Sequence, residues 1–368
     1  MYIKNLNINN FRNYRNVDIS FNEKVNIIIG NNAQGKTNLL EAIYMTSLGK
    51  SFRTARDNEM IMFDNEKASI KAEIKKKNTE INLEINLFQK QKKIIKINGI
   101  KLNKNTDILE NVYIVVFSPE DLKIVKDGPE KRRNFINREL CQIKPLYYHN
   151  LFKYSKLLLQ RNAFLKNINI EKYDKNMLDI WNRELVEYGI KLIKERSIFI
   201  KKLNAISSII HKNITNGKED IELIYENNIY KKTDEITDKN IYLNKLEESI
   251  RKDFIRGNTD IGPHKDDIII KVNNKDIRNY GSQGQQRTAA LALKLAEIKF
   301  IEEETGETPI LLLDDVLSEL DAERQKFLIN SLKDIQLFIT TTDISNFIEK
   351  NLPENKIIKI CNGTIEKI

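Results

Sequence analysis

Apolar and polar positions alternate from the first residues: Ile3, Leu6 and Ile8 stand between polar neighbours, the mark of a half-buried strand. A near-continuous apolar run at residues 25–29 follows and enters a glycine-containing segment, after which 38–47 reads as a helix. Residues 68–74, 80–88 and 93–97 read as three further strands, and Asn98-Gly99 supplies a tight hairpin turn after the last. Residues 112–117 form one more buried strand, ending at Ser118-Pro119.

The pattern then changes. From 120 to about 256 the chain is mostly helical and heavily charged, apart from a strand-like run at 221–225. Leu178, Trp181, Leu185, Tyr188 and Leu192 recur at three- and four-residue steps, as one face of a helix does. Leu151, Tyr154, Leu158 and Leu165 form a similar face before it, with 167–174 as the break, so two long antiparallel helices would bury both stripes. From Gly262 strands and helices alternate again: strand 268–272, helix 285–304, a strand from Ile310, helix 322–332, strand 337–340 and a hairpin at 357–368. No internal repeat or low-complexity tract interrupts this. The expected organisation is an α/β domain contributed by 1–119 and 257–368, with a mainly helical arm, 120–256, inserted into it.

Composition narrows the setting. The 368 residues are 40% hydrophobic and 31% charged, with a mean hydropathy of -0.48, which suits a soluble chain with a real core. No apolar run approaches the roughly 18 residues of a membrane span, and no leader pattern opens the chain, so a cytoplasmic location is expected without a membrane partner. Cys141 and Cys361 are the only cysteines, and His149, His211 and His264 are scattered, so neither a disulfide framework nor a zinc site can be assembled. The net charge of +9 and pI near 9.1 suit a polyanionic partner, though lysines also simply solvate surfaces.

Two segments carry specific chemistry. Gly30-Asn31-Asn32-Ala33-Gln34-Gly35-Lys36-Thr37 fits G-x-x-x-x-G-K-T between a strand and a helix, the context that makes this pattern a phosphate-binding loop. Its N–H groups and the following helix N-terminus would converge on phosphate oxygens, Lys36 would neutralise the β- and γ-phosphates of ATP, and the Thr37 hydroxyl would ligate Mg²⁺. Ile310-Leu311-Leu312-Leu313-Asp314-Asp315 ends a buried strand on two carboxylates: Asp314 suits the Mg²⁺ shell, and Asp315 suits orienting or deprotonating the attacking water. Without the first motif, Asp-Asp after a strand would read as a helix cap.

Gly281-Ser282-Gln283-Gly284-Gln285-Gln286 alone is weak, but a helix start follows that could aim N–H groups at an anion. Its order and spacing before Asp314 match the ABC-type ATPase signature, in which a serine and glycine loop meets the γ-phosphate held by a partner molecule. Ser318-Glu319-Leu320-Asp321 resembles the D-loop of such proteins. Lys36 and Ser282 are much further apart than in a transporter's nucleotide-binding domain, and the helical insert is similar to a short-armed relative of the SMC-type chromosome ATPases.

Local wording then resembles the RecF family: Asn10-Phe11-Arg12-Asn13-Tyr14, Gly35 through Ile43, Gly49-Lys50-Ser51-Phe52-Arg53, Phe117-Ser118-Pro119-Glu120-Asp121-Leu122, Lys131-Arg132-Arg133 and Gly262-Pro263-His264-Lys265-Asp266-Asp267. The resemblance implies an ABC-type P-loop ATPase head with mixed sheets plus the helical arm. It implies a recombinational repair protein that dimerises on ATP, binds double-stranded DNA and single-strand/double-strand junctions, and works with RecO and RecR to load RecA. Its ATPase would be slow, DNA-stimulated and used as a dimerisation switch. In the implied fold Asn38 joins the phosphate loop, Arg12 and Arg53 lie near nucleotide-side loops, and Ser282, Gly284 and Gln285 face a partner's nucleotide. Lys131, Arg132, Arg133 and Arg138 could contact DNA or simply form a solvated face.

Three departures from the wider ABC pattern fit slow turnover. Asp315 stands where many relatives carry glutamate, Thr341-Thr342-Asp343 occupies the switch-histidine region, and no glutamine follows the 112–117 strand, leaving Glu120 or Asp121 as substitutes. Alternatives are another SMC-like P-loop ATPase, a transport ATPase subunit, or a P-loop nuclease of the overcoming-lysogenisation type, which would require a further acidic domain. His264 reads as a structural turn residue.

Overall fold

The computed structural model describes residues 1–168, 175–231, 236–332, 334–342, 352 and 355–366. Most of the expected break at 167–174, and Asp343, lie outside these residues. The chain divides into two compact units, Met1–Lys123 with Ala290–Ile368, and Ile124–Ala289.

The first unit opens with β1 (Tyr2–Phe11), β2 (Tyr14–Ser20), β3 (Val25–Ile29), α1 (Lys36–Leu48), β4 (Lys67–Lys75), β5 (Glu80–Phe88), β6 (Ile94–Ile97), β7 (Ile100–Lys101), β8 (Ile114–Phe117) and α2 (Pro119–Leu122). The alternating strands build an antiparallel sheet in the order β2-β1-β4-β5-β6-β7, with Ile70, Ile74, Leu83 and Ile85 on its packed face. Ile3 and Leu6 share that face although three residues apart, because a bulge between Ile3 and Asn5 absorbs the extra residue. Asn98 and Gly99 both have positive φ, as the two-residue turn between β6 and β7 requires.

The second unit holds α3 (Pro129–Ile143), α4 (Pro145–Asn167), α5 (Lys175–Ile214), β9 (Ile221–Glu226), α6 (Lys239–Glu248), α7 (Ile250–Arg256), β10 (Asp267–Val272), β11 (Lys275–Asp276), α8 (Ile277–Tyr280) and the start of α9 (Gln283–Thr305). α4 packs on α5, whose Leu178, Leu185 and Leu192 are buried as the stripe predicts, while Trp181 and Tyr188 stay partly exposed. The unit extends past 256, where the sequence suggested the arm ends. The reason is β-pairing: β10 bonds to β9 in a three-stranded sheet, order β11-β10-β9, so the segment after the arm folds with it.

Two arginines are buried here with their partners. Arg161 bonds to Asn182, Asp253 and Thr259, and Arg196 bonds to Tyr147, Asn137, Pro263 O and Asp266. Such charges are tolerable only because each is paired and hydrogen-bonded.

The chain re-enters the first unit within α9 and continues through β12 (Ile310–Asp314), α10 (Ala322–Asn330), β13 (Leu337–Thr341), β14 (Asn355–Cys361) and β15 (Thr364–Glu366). The second sheet of this unit runs β15-β14-β3-β13-β12-β8, with parallel pairing from β14 to β8 and β15 antiparallel at its edge. β8 and all but the last residue of both β12 and β13 are buried, as short apolar runs in a parallel sheet are. The C-terminal ends of β3 and β12 therefore open on the same side of the sheet, with β13 between them.

Candidate nucleotide site

The loop from Gly30 to Gly35 leaves β3 and enters α1, which starts at Lys36. Gly35 has φ 117°, and a Cβ there would lie 2.7 Å from Asn13 Nδ2, so only glycine fits. At Gly30 a Cβ would meet Ile360 O at 2.5 Å. α1 has no side-chain cap on Gly35 and no acidic residue in its first turn, which suits its N–H groups to an anion. Asn31, Asn32 and Ala33 are exposed at the tip.

Carbonyl groups on the far side of the loop are held by protein. Gln34 O accepts from Asn13 Nδ2 at 2.9 Å and from Gly363 N at 3.1 Å, and Gly35 O accepts from the buried Tyr14 hydroxyl at 2.9 Å. Gln34 Oε1 accepts from Asn362 N. Turning these carbonyls outward is what a loop that presents N–H groups inward requires. Asn13 also accepts from Asn38 Nδ2, which ties the loop to the first turn of α1.

Lys36 Nζ donates to Gly30 O at 2.6 Å and Asn31 O at 3.0 Å. Burial lowers its pKa, opposed by Asp315 and Asp314. Thr37 Oγ1 donates to Asp314 Oδ1 at 3.0 Å, and the Thr340 hydroxyl on β13 donates to the same oxygen at 2.9 Å. Thr340 Oγ1 also accepts from Asp315 N at 2.9 Å, which fixes the turn at which Asp315 adopts φ 55°. Burial raises the Asp315 pKa, with Asp314 and Glu319 adding like charge and Lys36 opposing. Among the described residues no group of three or more His, Cys, Asp or Glu could hold a metal. The hard-oxygen pair of Thr37 and Asp314 nevertheless fits Mg²⁺, which takes few protein ligands and completes its shell with phosphate and water.

Arg12 points elsewhere than its neighbouring motif suggests. Its guanidinium bonds bidentately to the fully buried Glu41 on α1, at 2.9 and 2.7 Å, and to Glu59 O at 2.7 Å. Arg53 donates to Asn38 Oδ1 at 2.8 Å and lies 3.6 Å from Glu41. Asp121 is taken up in a capping box with Ser118, and Glu120 pairs with Lys123 at 2.7 Å. Asp321 caps α10, and the Ser318 hydroxyl donates to Asp315 O at 2.7 Å.

Ser282, Gly284 and Gln285 lie in the second unit at the start of α9, with Ser282 exposed. Of the basic candidates on α3, Arg132 is buried in a bidentate pair with Asp267, at 2.6 and 2.9 Å, so it is a structural residue and not a surface contact. Arg133 donates to Asp266 O at 2.8 Å and Arg138 to Glu139 at 2.7 Å. His264 lies between Tyr154 OH at 2.7 Å and Thr259 O at 2.8 Å, a structural position. Asn13, Asn362, Gly363, Glu41 and Thr340 were not legible as site residues. Asn362-Gly363 announces a hairpin turn, but nothing in its sequence says that the turn closes on the phosphate loop.

The chain resembles known proteins over its full length. Residues 2–364 match the RecF/RecN/SMC N terminal domain family. The DNA replication and repair protein RecF of Clostridium acetobutylicum is 47% identical over 366 residues, 99% of each chain. Its counterpart in Lachnoclostridium phytofermentans is 42% identical over 367 residues, 100% of each. A solved structure of the recombination mediator protein RecF-ATPrS in the RecFOR pathway superposes with a TM-score of 0.92 at 39% identity, covering 100% of this chain and 98% of that one. An Smc head bound to the C-winged helix domain of ScpA shares the fold alone, with a TM-score of 0.58 at 16% identity. No helix among the described residues is long and apolar enough to cross a membrane.

Proposed function

The chain belongs to the RecF family, and from that premise we propose that it is an ATP-switched DNA-binding repair protein in which nucleotide joins two copies. The observation that carries this is the approach of Thr37 to Asp314 beside an uncapped α1 N-terminus, in a fold like that of RecF-ATPrS. Gly30, Asn31, Asn32, Ala33, Gln34, Gly35 and Asn38 would form the cradle for ATP, and Lys36 would neutralise its β- and γ-phosphates. Thr37 and Asp314 would hold Mg²⁺, which supplies charge neutralisation across those oxygens when bound. Asp315 sits at the end of β12 to orient or accept a proton from the attacking water. Arg12 acts through Glu41, which holds its guanidinium beside the first turns of α1.

In this reading Ser282, Gly284 and Gln285 of one copy meet the nucleotide held by the other. Hydrolysis is slow, stimulated by DNA, and resets the dimer. The positive net charge supports binding to double-stranded DNA and single-strand/double-strand junctions. Likeness to a recombination mediator supports a role with RecO and RecR in loading RecA at gaps, in the cytoplasm, during repair, replication and the SOS response. Sedimentation with ATP, ADP or no nucleotide, each with and without gapped DNA, tests it. A dimer with ATP is expected, and Lys36→Arg or Ser282→Arg should abolish it while the fold persists. A monomer under every condition ends the proposal.

A further inference from the structure

α9 opens with a reciprocal pair. Ser282 Oγ accepts from Gln285 N at 3.2 Å, and Gln285 Oε1 accepts from Ser282 N at 2.9 Å, the geometry of a capping box. The other end of the same carboxamide, Nε2, donates to Glu219 Oε1 at 2.8 Å. Glu219 lies between α5 and β9. Its second oxygen is 3.8 Å from Nε2 of His211, a fully buried residue in the last turn of α5 whose Nε2 makes no hydrogen bond. Glu219 O lies 3.4 Å from His211 Nδ1.

A glutamine carboxamide carries an acceptor at one end and a donor at the other, and a half-turn about its last bond exchanges them. A carboxylate only accepts. Glu219 therefore admits the carboxamide with Nε2 toward it and leaves Oε1 for Ser282 N. The flipped amide would set oxygen against the carboxylate and a donor against Ser282 N–H, losing two hydrogen bonds at once. With its N–H held by Oε1 and its oxygen already accepting from Gln285 N, Ser282 keeps its hydroxyl proton to donate outward.

We infer that Glu219 is a positioning residue for the Gly281–Gln286 loop: it selects the orientation of the Gln285 carboxamide and so sets the Ser282 hydroxyl for a phosphate oxygen. This rests on the reading above, in which that loop meets the nucleotide of a second copy. Glu219 acts through Gln285 and not by its own charge, because a carboxylate near a helix N-terminus would by itself oppose an incoming phosphate.

Sedimentation of the full chain with ATP and Mg²⁺ tests this on Glu219→Ala, Glu219→Gln, Gln285→Ala, the Glu219→Ala/Gln285→Ala double variant and Ser282→Arg. Glu219→Ala should weaken the ATP-dependent dimer about twenty-fivefold, about fivefold from each of two equivalent sites that lose one hydrogen bond. Glu219→Gln, which can still present an acceptor, should restore dimerisation to within about threefold of wild type. The double variant should be no weaker than Gln285→Ala alone, because Glu219 acts only through that side chain. Binding of a fluorescent ATP analogue by the monomer should stay level across the series, a split that general unfolding would not give.

Wild-type dimerisation by Glu219→Ala or Gln285→Ala, with Ser282→Arg monomeric, overturns the role of Glu219 alone. Additive losses in the double variant, or Glu219→Gln as weak as Glu219→Ala, also overturn it. If Ser282→Arg dimerises like wild type, the reading of the loop falls and this inference with it. Should Glu219→Ala fail to fold, Glu219→Met against Glu219→Gln decides, since only the first lacks an acceptor for Gln285 Nε2 and should weaken the dimer.

Discussion

Thr37 Oγ1 donates to Asp314 Oδ1 at 3.0 Å, joining residues 277 positions apart in the chain. The contact exists because β3 and β12 lie on either side of β13, run parallel to it and end on the same side of one sheet. Thr340, at the register position of both Ile28 and Asp314, completes it through its hydroxyl.

If this pair holds Mg²⁺, removing the carboxylate charge should uncouple nucleotide from metal. Asp314→Asn is expected to weaken ATP binding in Mg²⁺ by roughly tenfold to a hundredfold, with little further loss on adding EDTA. Titration calorimetry with and without Mg²⁺ checks this. Full Mg²⁺ dependence in the variant would place the metal elsewhere.

Asp315 should separate hydrolysis from assembly. Asp315→Asn is expected to slow phosphate release by about 10²-fold or more while the ATP-dependent dimer persists and lives longer. Unchanged turnover would remove it from the water-activating role.

Gly363 and Gly99 offer a controlled comparison. Both have left-handed φ, 72° and 81°, so alanine costs each about 1 kcal/mol of backbone strain. At Gly99 a Cβ meets nothing within 4 Å, whereas at Gly363 it would lie 2.1 Å from Asn13 O, behind the phosphate loop. Gly363→Ala should therefore lose most of the thermal stabilisation given by ATP, and Gly99→Ala should keep it. Equal ATP shifts in the two variants would show that the hairpin does not support the loop.

His264 sets a pH dependence. Burial pushes its pKa down to about 4, with Lys265, Arg133 and Arg196 adding like charge, against an ordinary value of about 6.5. The unfolded chain then binds the extra proton first, so this contribution is fully present above about pH 6.5 and is lost as pH falls toward 4. A shift of that size amounts to about 3 kcal/mol. Urea unfolding at pH 7 and pH 4.5 should show a steeper loss for wild type than for His264→Asn. Parallel curves would mean that His264 titrates normally.

Much of this molecule is legible in one dimension because its information is local. Strand alternation, the glycines and Lys36-Thr37 of the loop, and the Asp314-Asp315 strand end depend on residue type at close spacing, and each formed where expected. Helix ends moved by a residue or two, as at α1 and α9, because hydrogen bonding in the first turn extends past the apolar periodicity. Arg132 misled for a physical reason: an arginine in a basic run is solvated or buried according to whether a carboxylate such as Asp267 is folded against it, which its own segment does not encode.

The sequence by itself determined the ATPase family, the glycine loop between β3 and α1 and the long helices of the second unit, since these follow from short motifs, their order and their periodicity. Tertiary structure alone decided what stands behind them. The Asn362–Gly363 turn closes on Gln34, Glu41 takes the Arg12 guanidinium, Glu219 orients Gln285, and the segment after residue 256 joins the arm through β-pairing. Each is a hydrogen bond or sheet register between distant stretches, and such pairing depends on where strands and helices meet in space, which residue spacing along one chain does not specify.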